Sequence, residues 1–313
     1  MNNLLQKLFY SSNLGYHCVR VLISLKKLFS EGRFYSDEYW IKKQFRRAHG
    51  YDLNLKSPLT LNEKIQWLKL NDRKPIYTFY ADKYAVREII KKRYGAEYLV
   101  DLLFVTTDIK KIRLENMPNV PFIIKPNHGS GWYFIVDNKN SVNWKRIRLT
   151  CRYWMSENYY YSSREWQYKN ISPCILVEKL LVCKNGGIPI NYRFHCINGQ
   201  VQFISINIYS GKDAHTYKCN RYDRNWKPLY FTHEPKGTDL SQVRGPEVPP
   251  PLALDKMLYI AEDIAKEFKY VRVDFYDVDG KPYFGEITLH HAGGYDVFTP
   301  NEWDFKLGKM IDL

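Results

Sequence analysis

No two of the six cysteines (Cys18, Cys151, Cys174, Cys183, Cys196 and Cys219) form a CxxC pair, and none has a histidine at zinc-ligand spacing. That excludes a zinc finger and offers no disulfide framework, so the thiols read as free and the compartment as reducing. Cys174 and Cys183, in or beside an apolar run, read as core residues. No uninterrupted apolar stretch reaches the roughly 20 residues that span a bilayer. A sustained apolar region before a cleavage site is also missing from the N-terminus, and the expected location is cytoplasmic. Acid is scarce: 33 Asp+Glu stand against 47 Lys+Arg, a formal charge of +14. A charge of that size calls for a partner of opposite sign, whether nucleotide, nucleic acid, anionic lipid or acidic polysaccharide. RRM, KH and helix-turn-helix signatures are absent, so nucleic acid is not expected.

The chain does contain enough apolar material, 45% of 313 residues, for the core of one large domain or of two to three subdomains. Residues from Asn3 to about Phe45 have a helical pattern, basic and amphipathic, which suits a helix packed on its own domain or one lying on an anionic membrane. After a loop from Tyr51 to Pro58, Thr60 and Glu63 form a capping box that opens a helix, and Asp82 is a second cap. Strand-like segments run from Leu99 to Val105, Pro121 to Ile124, Ile175 to Val177, Tyr192 to Ile197 and Val201 to Ile208. The last two hinge at Asn198-Gly199, which is hairpin chemistry. Asn143 to Lys169 reads as helix, Gly211 to Pro251 as loop, and Leu252 to Phe268 as an amphipathic helix. Interleaved helices and strands make the class α+β or α/β.

Two segments carry chemistry. Val271 to Leu289 reads as two strands joined at Asp279-Gly280, with Arg272 and Asp274 on one face of the first and Glu286, Thr288 and His290 on one face of the second. A plain two-residue turn sets Asp274 opposite Gly285, whereas one bulged residue brings Asp274 and Glu286 face to face; that facing is the expectation, with the irregularity between Tyr276 and Tyr283. Such a face can hold Mg²⁺ and a phosphorylated intermediate. An ion pair on a solvated outer face reads equally well. In Phe122 to Trp132 a strand ends at Lys125 and is followed by Gly129-Ser130-Gly131, where backbone N–H groups can approach phosphate oxygens. An ordinary turn fits that segment too, and it is not a P-loop.

Taken in order, these pieces resemble the ATP-grasp superfamily. They are Asp82-Lys83, Lys125 with its glycine loop, Ile-Leu-Val-Glu178-Lys-Leu, Arg272-x-Asp274 and Glu286-x-Thr288. From about Pro58 to the C-terminus the chain looks most like the TupA-like ATP-grasp family of surface-polysaccharide biosynthesis. Further pieces are Asn62-Glu-Lys-Ile-Gln-Trp67, Ala81-Asp-Lys-Tyr-Ala-Val-Arg87, Asn191-Tyr-Arg-Phe194, Tyr222-Asp223 and Pro300-Asn-Glu-Trp-Asp304.

The resemblance implies an α+β ATP-grasp fold with a helical N-terminal extension. Its expected divisions are 1–58, 59–120, 121–190 (nucleotide lid) and 191–313 (catalytic). It also implies an ATP- and Mg²⁺-dependent carboxylate–amine ligase working through an acyl phosphate. Lys83, Lys125 and the Gly129-Ser130-Gly131 loop would take ATP phosphates, and Glu178, Lys179 and Leu181 the adenine. Asp274, Glu286 and Thr288 would hold metal, and Arg272 would stabilise developing charge. Arg193 and His290 are candidates for contact with the acceptor. Two departures from the superfamily pattern are Thr288 in place of asparagine and Asn191 in place of an acidic residue. The expected partners are a uronic-acid-containing polysaccharide or oligosaccharide and an amino acid or other small amine. A glycosyltransferase, or a glycan-binding protein that keeps the scaffold, is the alternative.

Overall fold

The computed structural model describes residues 3–209 and 217–313. It contains two compact units, one of Met1–Trp40, Asp82–Ala85 and Asp101–Leu180, the other of Ile41–Ala81, Val86–Val100 and Leu181–Leu313. Within the first unit, Leu102–Thr106 pairs with the distant Ile175–Lys179. Among the described residues no helix is long and apolar enough to cross a membrane.

The first unit holds an antiparallel sheet of β1 (Leu102–Thr106), β2 (Phe122–Pro126), β3 (Phe134–Val136) and β4 (Ile175–Lys179), in the order β1-β4-β2-β3. Alternation along β2 buries Phe122 and Ile124 while Lys125 lies half-buried. Those side chains, with Ile175 and Val177 of β4, pack on Ile147, Cys151 and Trp154 of the helix Trp144–Ser156. That helix starts where the Asn143 side chain accepts from the Arg146 N–H, satisfying one of the donors a helix start leaves open. The N-terminal helical stretch is not continuous. Ser12 caps a second helix by accepting from the Gly15 N–H, which separates Asn3–Ser11 from Asn13–Ser30. A third helix spans Asp37–His49, and the division between units falls inside it.

The second unit is built on a six-stranded antiparallel sheet. Its strands are β5 (Asn191–Ile197), β6 (Gln200–Tyr209), β7 (Tyr217–Tyr222), β8 (Pro228–Leu229), β10 (Tyr270–Val278) and β11 (Lys281–Thr288), in the order β11-β10-β5-β6-β7-β8. A short β9 (Thr232–Glu234) pairs with β12 (Val297–Thr299). Asn198-Gly199 and Asp279-Gly280 have positive φ at both positions, 49° and 79° in one and 55° and 88° in the other, so both are tight hairpin turns as expected. Met257, Ile260, Ala261 and Ile264 of the helix Leu254–Ala265 cover one sheet face through Phe194, Ile204, Val271 and Val273. The opposite face carries the polar side chains.

The expectation of a loop from Gly211 to Pro251 needs correction. Residues 211–216 lie outside the described residues, but Tyr217–Tyr222 is a paired strand and β8 and β9 follow it. The Thr60–Glu63 capping box is present at the helix Leu61–Asn71, with the Thr60 hydroxyl accepting from the Glu63 N–H at 3.1 Å and Glu63 accepting from the Thr60 N–H at 3.1 Å. Asp82, in contrast, does not sit at a helix start. It accepts from the N–H groups of Tyr84 and Ala85 in a turn, and the helix begins at Val86.

Candidate active site

The hairpin of β10 and β11 contains the bulge on which its face depends. Phe275 opposes Phe284, then the register shifts and Asp274 opposes Glu286, leaving Gly285 as the extra residue. A Cβ at Gly285 would come within 3.1 Å of the Asp274 carbonyl oxygen, which explains a glycine there. The shift puts Arg272, Asp274, Glu286 and Thr288 on one side. Arg272 grips Asp274 with two hydrogen bonds of 2.7 Å, from Nε to Oδ1 and from Nη2 to Oδ2. Its Nη2 also donates to Glu286 Oε1 at 2.8 Å, and the Thr288 hydroxyl donates to that same oxygen at 3.1 Å.

Burial governs the electrostatics. It works against the Arg272 charge, but Asp274 and Glu286 outweigh it and hold the guanidinium above the ordinary arginine value. Asp274 is 2% exposed; its burial pushes the carboxyl up, and Arg272 opposes that. An uncompensated carboxylate would not stay ionised at such depth, so the arginine keeps the charge in place. The remaining guanidinium nitrogen, Nη1, donates to His291 Nδ1 at 2.7 Å. His291 must therefore be neutral with its proton on Nε2, and burial, with His195 and Arg272 nearby, holds its pKa well below the usual value.

His291 was not foreseen. Strand alternation left only His290 available for this face, but β11 ends at Thr288 and a short helical turn from His291 to Gly294 swings His291 back onto Arg272. His290 is buried just after the strand. Arg193 on β5 stands opposite Asp274 across the ladder and donates to Asn207 Oδ1 at 2.5 Å. Its Nε is buried with no hydrogen-bond partner. Ser205 continues the row beyond Arg193, and Arg221 of β7 continues it beyond Ser205. Arg221 is a further residue the sequence reading missed, since its strand had been read as loop.

In the first unit the structure brings most of the expected nucleotide residues together. Lys125 Nζ lies 2.5 Å from Glu178 Oε2, a cation on β2 against a buried carboxylate on β4. Lys83 Nζ donates to the Gly129 carbonyl at 2.8 Å, and the Lys83 N–H donates to the Asn127 carbonyl at 3.1 Å. Asn127 is the buried hub of this corner: its Nδ2 donates to Asp82 Oδ1 at 2.9 Å and its Oδ1 accepts from the Cys174 N–H at 2.8 Å. Ser130 and Gly131 are exposed. Gly131 has φ 71° and open space around a Cβ position, whereas a Cβ on Gly129 would strike the Trp132 ring at 2.6 Å. The first glycine is thus fixed by packing and the second by its backbone conformation. Along the β4 exit, the N–H groups of Lys179 and Leu180 already donate to Asp101 and Pro121 carbonyls, both at 3.0 Å. Leu181 opens the second unit.

Among the described residues no group of three or more His, Cys, Asp or Glu gathers as a metal site. Asp274 and Glu286 with the Thr288 hydroxyl nevertheless form a set of hard oxygen donors. Mg²⁺ commonly takes one or two carboxylates and keeps several waters, so the donor chemistry fits that ion. Glu286 is the more reachable carboxylate, its side chain 29% exposed against 3% for Asp274.

A family model described as TupA-like ATPgrasp matches residues 63–312. The chain belongs to the TupA-like ATP-grasp family. That match includes Lys83, Lys125, Glu178, Arg193, Arg272, Asp274, Glu286 and His291. Solved structures similar to this TupA-like ATP-grasp chain include the D-alanine–D-alanine ligase of Bacillus anthracis, 18% identical over 67% of this chain and 57% of that one, with a TM-score of 0.38. The same ligase from Helicobacter pylori is 18% identical over 80% and 69%, with a TM-score of 0.39. The ATP-grasp ligase PsnB, solved with a minimal precursor, is 13% identical over 69% and 54%, with a TM-score of 0.37. The chain therefore spans just over half the length of the Bacillus anthracis ligase and of PsnB. No curated protein matches it.

Proposed function

We propose that the protein is an ATP- and Mg²⁺-dependent carboxylate–amine ligase. It joins a uronic-acid carboxylate of a cell-surface polysaccharide, or of its precursor, to the amine of an amino acid or other small amine. The observation that carries this reading is the constellation of Arg272, Asp274 and Glu286, brought to one face by the Gly285 bulge in a chain of the ATP-grasp family. The acceptor carboxylate attacks the γ-phosphorus of ATP and releases ADP. The amine then attacks the acyl phosphate, phosphate leaves, and the amine gives up a proton. Phosphoryl transfer depends on positioning and charge neutralisation, so cations dominate the requirements.

Lys83, Lys125 and the Gly129-Ser130-Gly131 loop take the nucleotide phosphates in this reading, and Glu178, Lys179 and Leu181 take the adenine. Asp274, Glu286 and Thr288 hold Mg²⁺, which, when bound, neutralises phosphate oxygens. Arg272 stabilises charge on the transferring phosphoryl group and on the tetrahedral centre. Arg193 and His290 are assigned to the acceptor, and an acidic glycan suits a chain of charge +14. In this reading the reaction is cytoplasmic.

The alternative of a non-catalytic glycan-binding protein has less support, because such a module has no need of paired carboxylates on an arginine. The deciding experiment is an ADP-release screen of amino acids against uronic-acid oligosaccharides in the presence of Mg²⁺. Turnover that requires both an acid and an amine supports the ligase. Glycan binding with no ADP release from any pair would favour the binding module.

A further inference from the structure

The helix Asn13–Ser30 has two apolar sides. One carries Tyr16 and Val19 and is buried with Phe9 against Leu149 of the helix Trp144–Ser156, so the helix is fastened to its own unit. The other faces outward. Leu14 is 74% exposed, Val21 58%, Leu22 54%, Leu25 51% and Phe29 74%, and the spacing of three and four residues sets all five in one stripe. A fold leaves single apolar residues at its surface routinely, but five of them on one side of a helix, four gathered between Val21 and Phe29, mark a contact surface.

Charge indicates what the contact is. The helix contains no acidic residue. At 100° per residue, Lys26 borders the stripe about 40° beyond Leu22, while Arg20 lies about 100° beyond Val21 on the other side. Apolar residues with basic side chains off their edges are the pattern of a helix lying in the plane of an anionic bilayer, with the lysine and arginine stems reaching up to the headgroups. An open groove of about 320 Å³ runs along the Arg20 side, with Val21, Leu25 and Leu28 as apolar lining and Arg20 and Arg33 at its rim. Glu31 holds the Arg33 guanidinium through two hydrogen bonds, so Arg20 is the cation this apolar wall offers to a lipid phosphate. Leu4 and Phe34, 75% and 69% exposed, add apolar surface before and after this helix.

We infer that the outward stripe of this helix is a docking surface for membranes containing anionic phospholipid. It anchors the protein peripherally, since no described helix can cross a bilayer. The inference goes beyond the ligase reading and does not depend on it, because none of these residues belongs to the proposed catalytic or nucleotide set.

The test is flotation of the full chain with phosphatidylcholine vesicles and with phosphatidylcholine–phosphatidylglycerol vesicles. Binding is expected only to the second kind and is expected to weaken as salt rises, since surface charges are screened. The double variant Leu22→Glu, Leu25→Glu is expected to lose that binding by about ten-fold or more, because it removes buried apolar area and adds repulsion. Both positions are exposed, so circular dichroism and unfolding midpoint should match the parent. Equal binding to both vesicle types, or undiminished binding by the double variant, overturns the inference. So does a dimer, seen by light scattering, that the same substitutions dissolve while vesicles never bind, since the stripe would then serve a second copy of the chain.

Discussion

Removing the Arg272 guanidinium should unmask the cost of a buried carboxylate, and that cost should depend on pH. In the parent, Arg272 contributes two hydrogen bonds to Asp274, one to Glu286 and one to His291. Arg272→Ala deletes all four and leaves Asp274, 2% exposed, without its hydrogen-bonded cation and with only the cross-strand Arg193 charge to oppose burial. Breaking one partner out of a buried pair costs about 3–5 kcal/mol. The sign with pH follows from linkage. Burial already holds the folded-state pKa of Asp274 above its ordinary value, and without Arg272 it must rise further. A group with a raised folded pKa binds its proton more tightly when folded, so the variant recovers stability as pH falls toward the unfolded carboxylate range. The deficit relative to the parent should therefore be larger at pH 8 than at pH 5, by up to ~1.4 kcal/mol per unit of pH within that window. Urea unfolding of parent and variant at the two pH values measures it. A deficit under ~1 kcal/mol that is the same at both would refute the reasoning, because Asp274 would then have no need of its partner. Arg272→Lys separates chemistry from folding. It keeps one charge near Asp274 but cannot reach two carboxylates and His291 together. At temperatures where this variant is folded, ADP release should fall about 10²–10³-fold while ATP binding, read by calorimetry, changes far less.

Lys125→Ala should weaken ATP binding in calorimetry. It should also destabilise the first unit by about 1–3 kcal/mol, because Glu178 at 5% exposure loses its partner 2.5 Å away. Unchanged ATP affinity would remove Lys125 from the nucleotide site. Alkylation of the native protein at pH 8 should modify exposed Cys18 first and spare Cys151 and Cys174, both pushed up to about 12 by burial; peptide mass mapping reads this directly. Burial and then Glu234 raise the Asp296 carboxyl to about 7, so this residue lowers stability at pH values above its unfolded pKa. Asp296→Asn is expected to flatten the parent's gain in stability between pH 7 and about 4, as followed by unfolding midpoints.

Much of the fold and of the candidate site was legible because the relevant signals are local. Positive-φ turn pairs such as Asn198-Gly199, the Thr60–Glu63 box and the alternation in Tyr270–Val278 each declare an element within a few residues. The misses arise where distant partners decide. Tyr217–Tyr222 is paired on both sides, yet its neighbours Asn220 and Arg221, on opposite faces, are both buried through hydrogen bonds that hydrophobic patterning does not flag. His291 needed the end of β11 and the turn after it, neither of which shows in a period-two reading. β1 pairs with β4 across a long intervening stretch of chain, and a single sequence gives no sign of that partner choice. The opposition of Asp274 and Glu286 holds as expected, but the pairing from Tyr276 to Tyr283 is regular and the extra residue is Gly285, because the same letters are compatible with a bulge at either place.

The Gly285 bulge also reverses the usual ranking of mutational insults. From Val278↔Lys281 to Phe275↔Phe284 the ladder counts without interruption, and it resumes at Asp274↔Glu286. Deleting Gly285 would join these two stretches into one unbroken ladder and leave the carboxylates still facing each other. Substituting it with alanine would push a methyl group against the Asp274 carbonyl, and one more residue beside it would put the two stretches out of step again. At this position a missing residue should do less harm to the alignment of the charged face than a changed or added one. A deletion series through residues 284–287, scored by ADP release, should therefore show a dip in damage at a single codon.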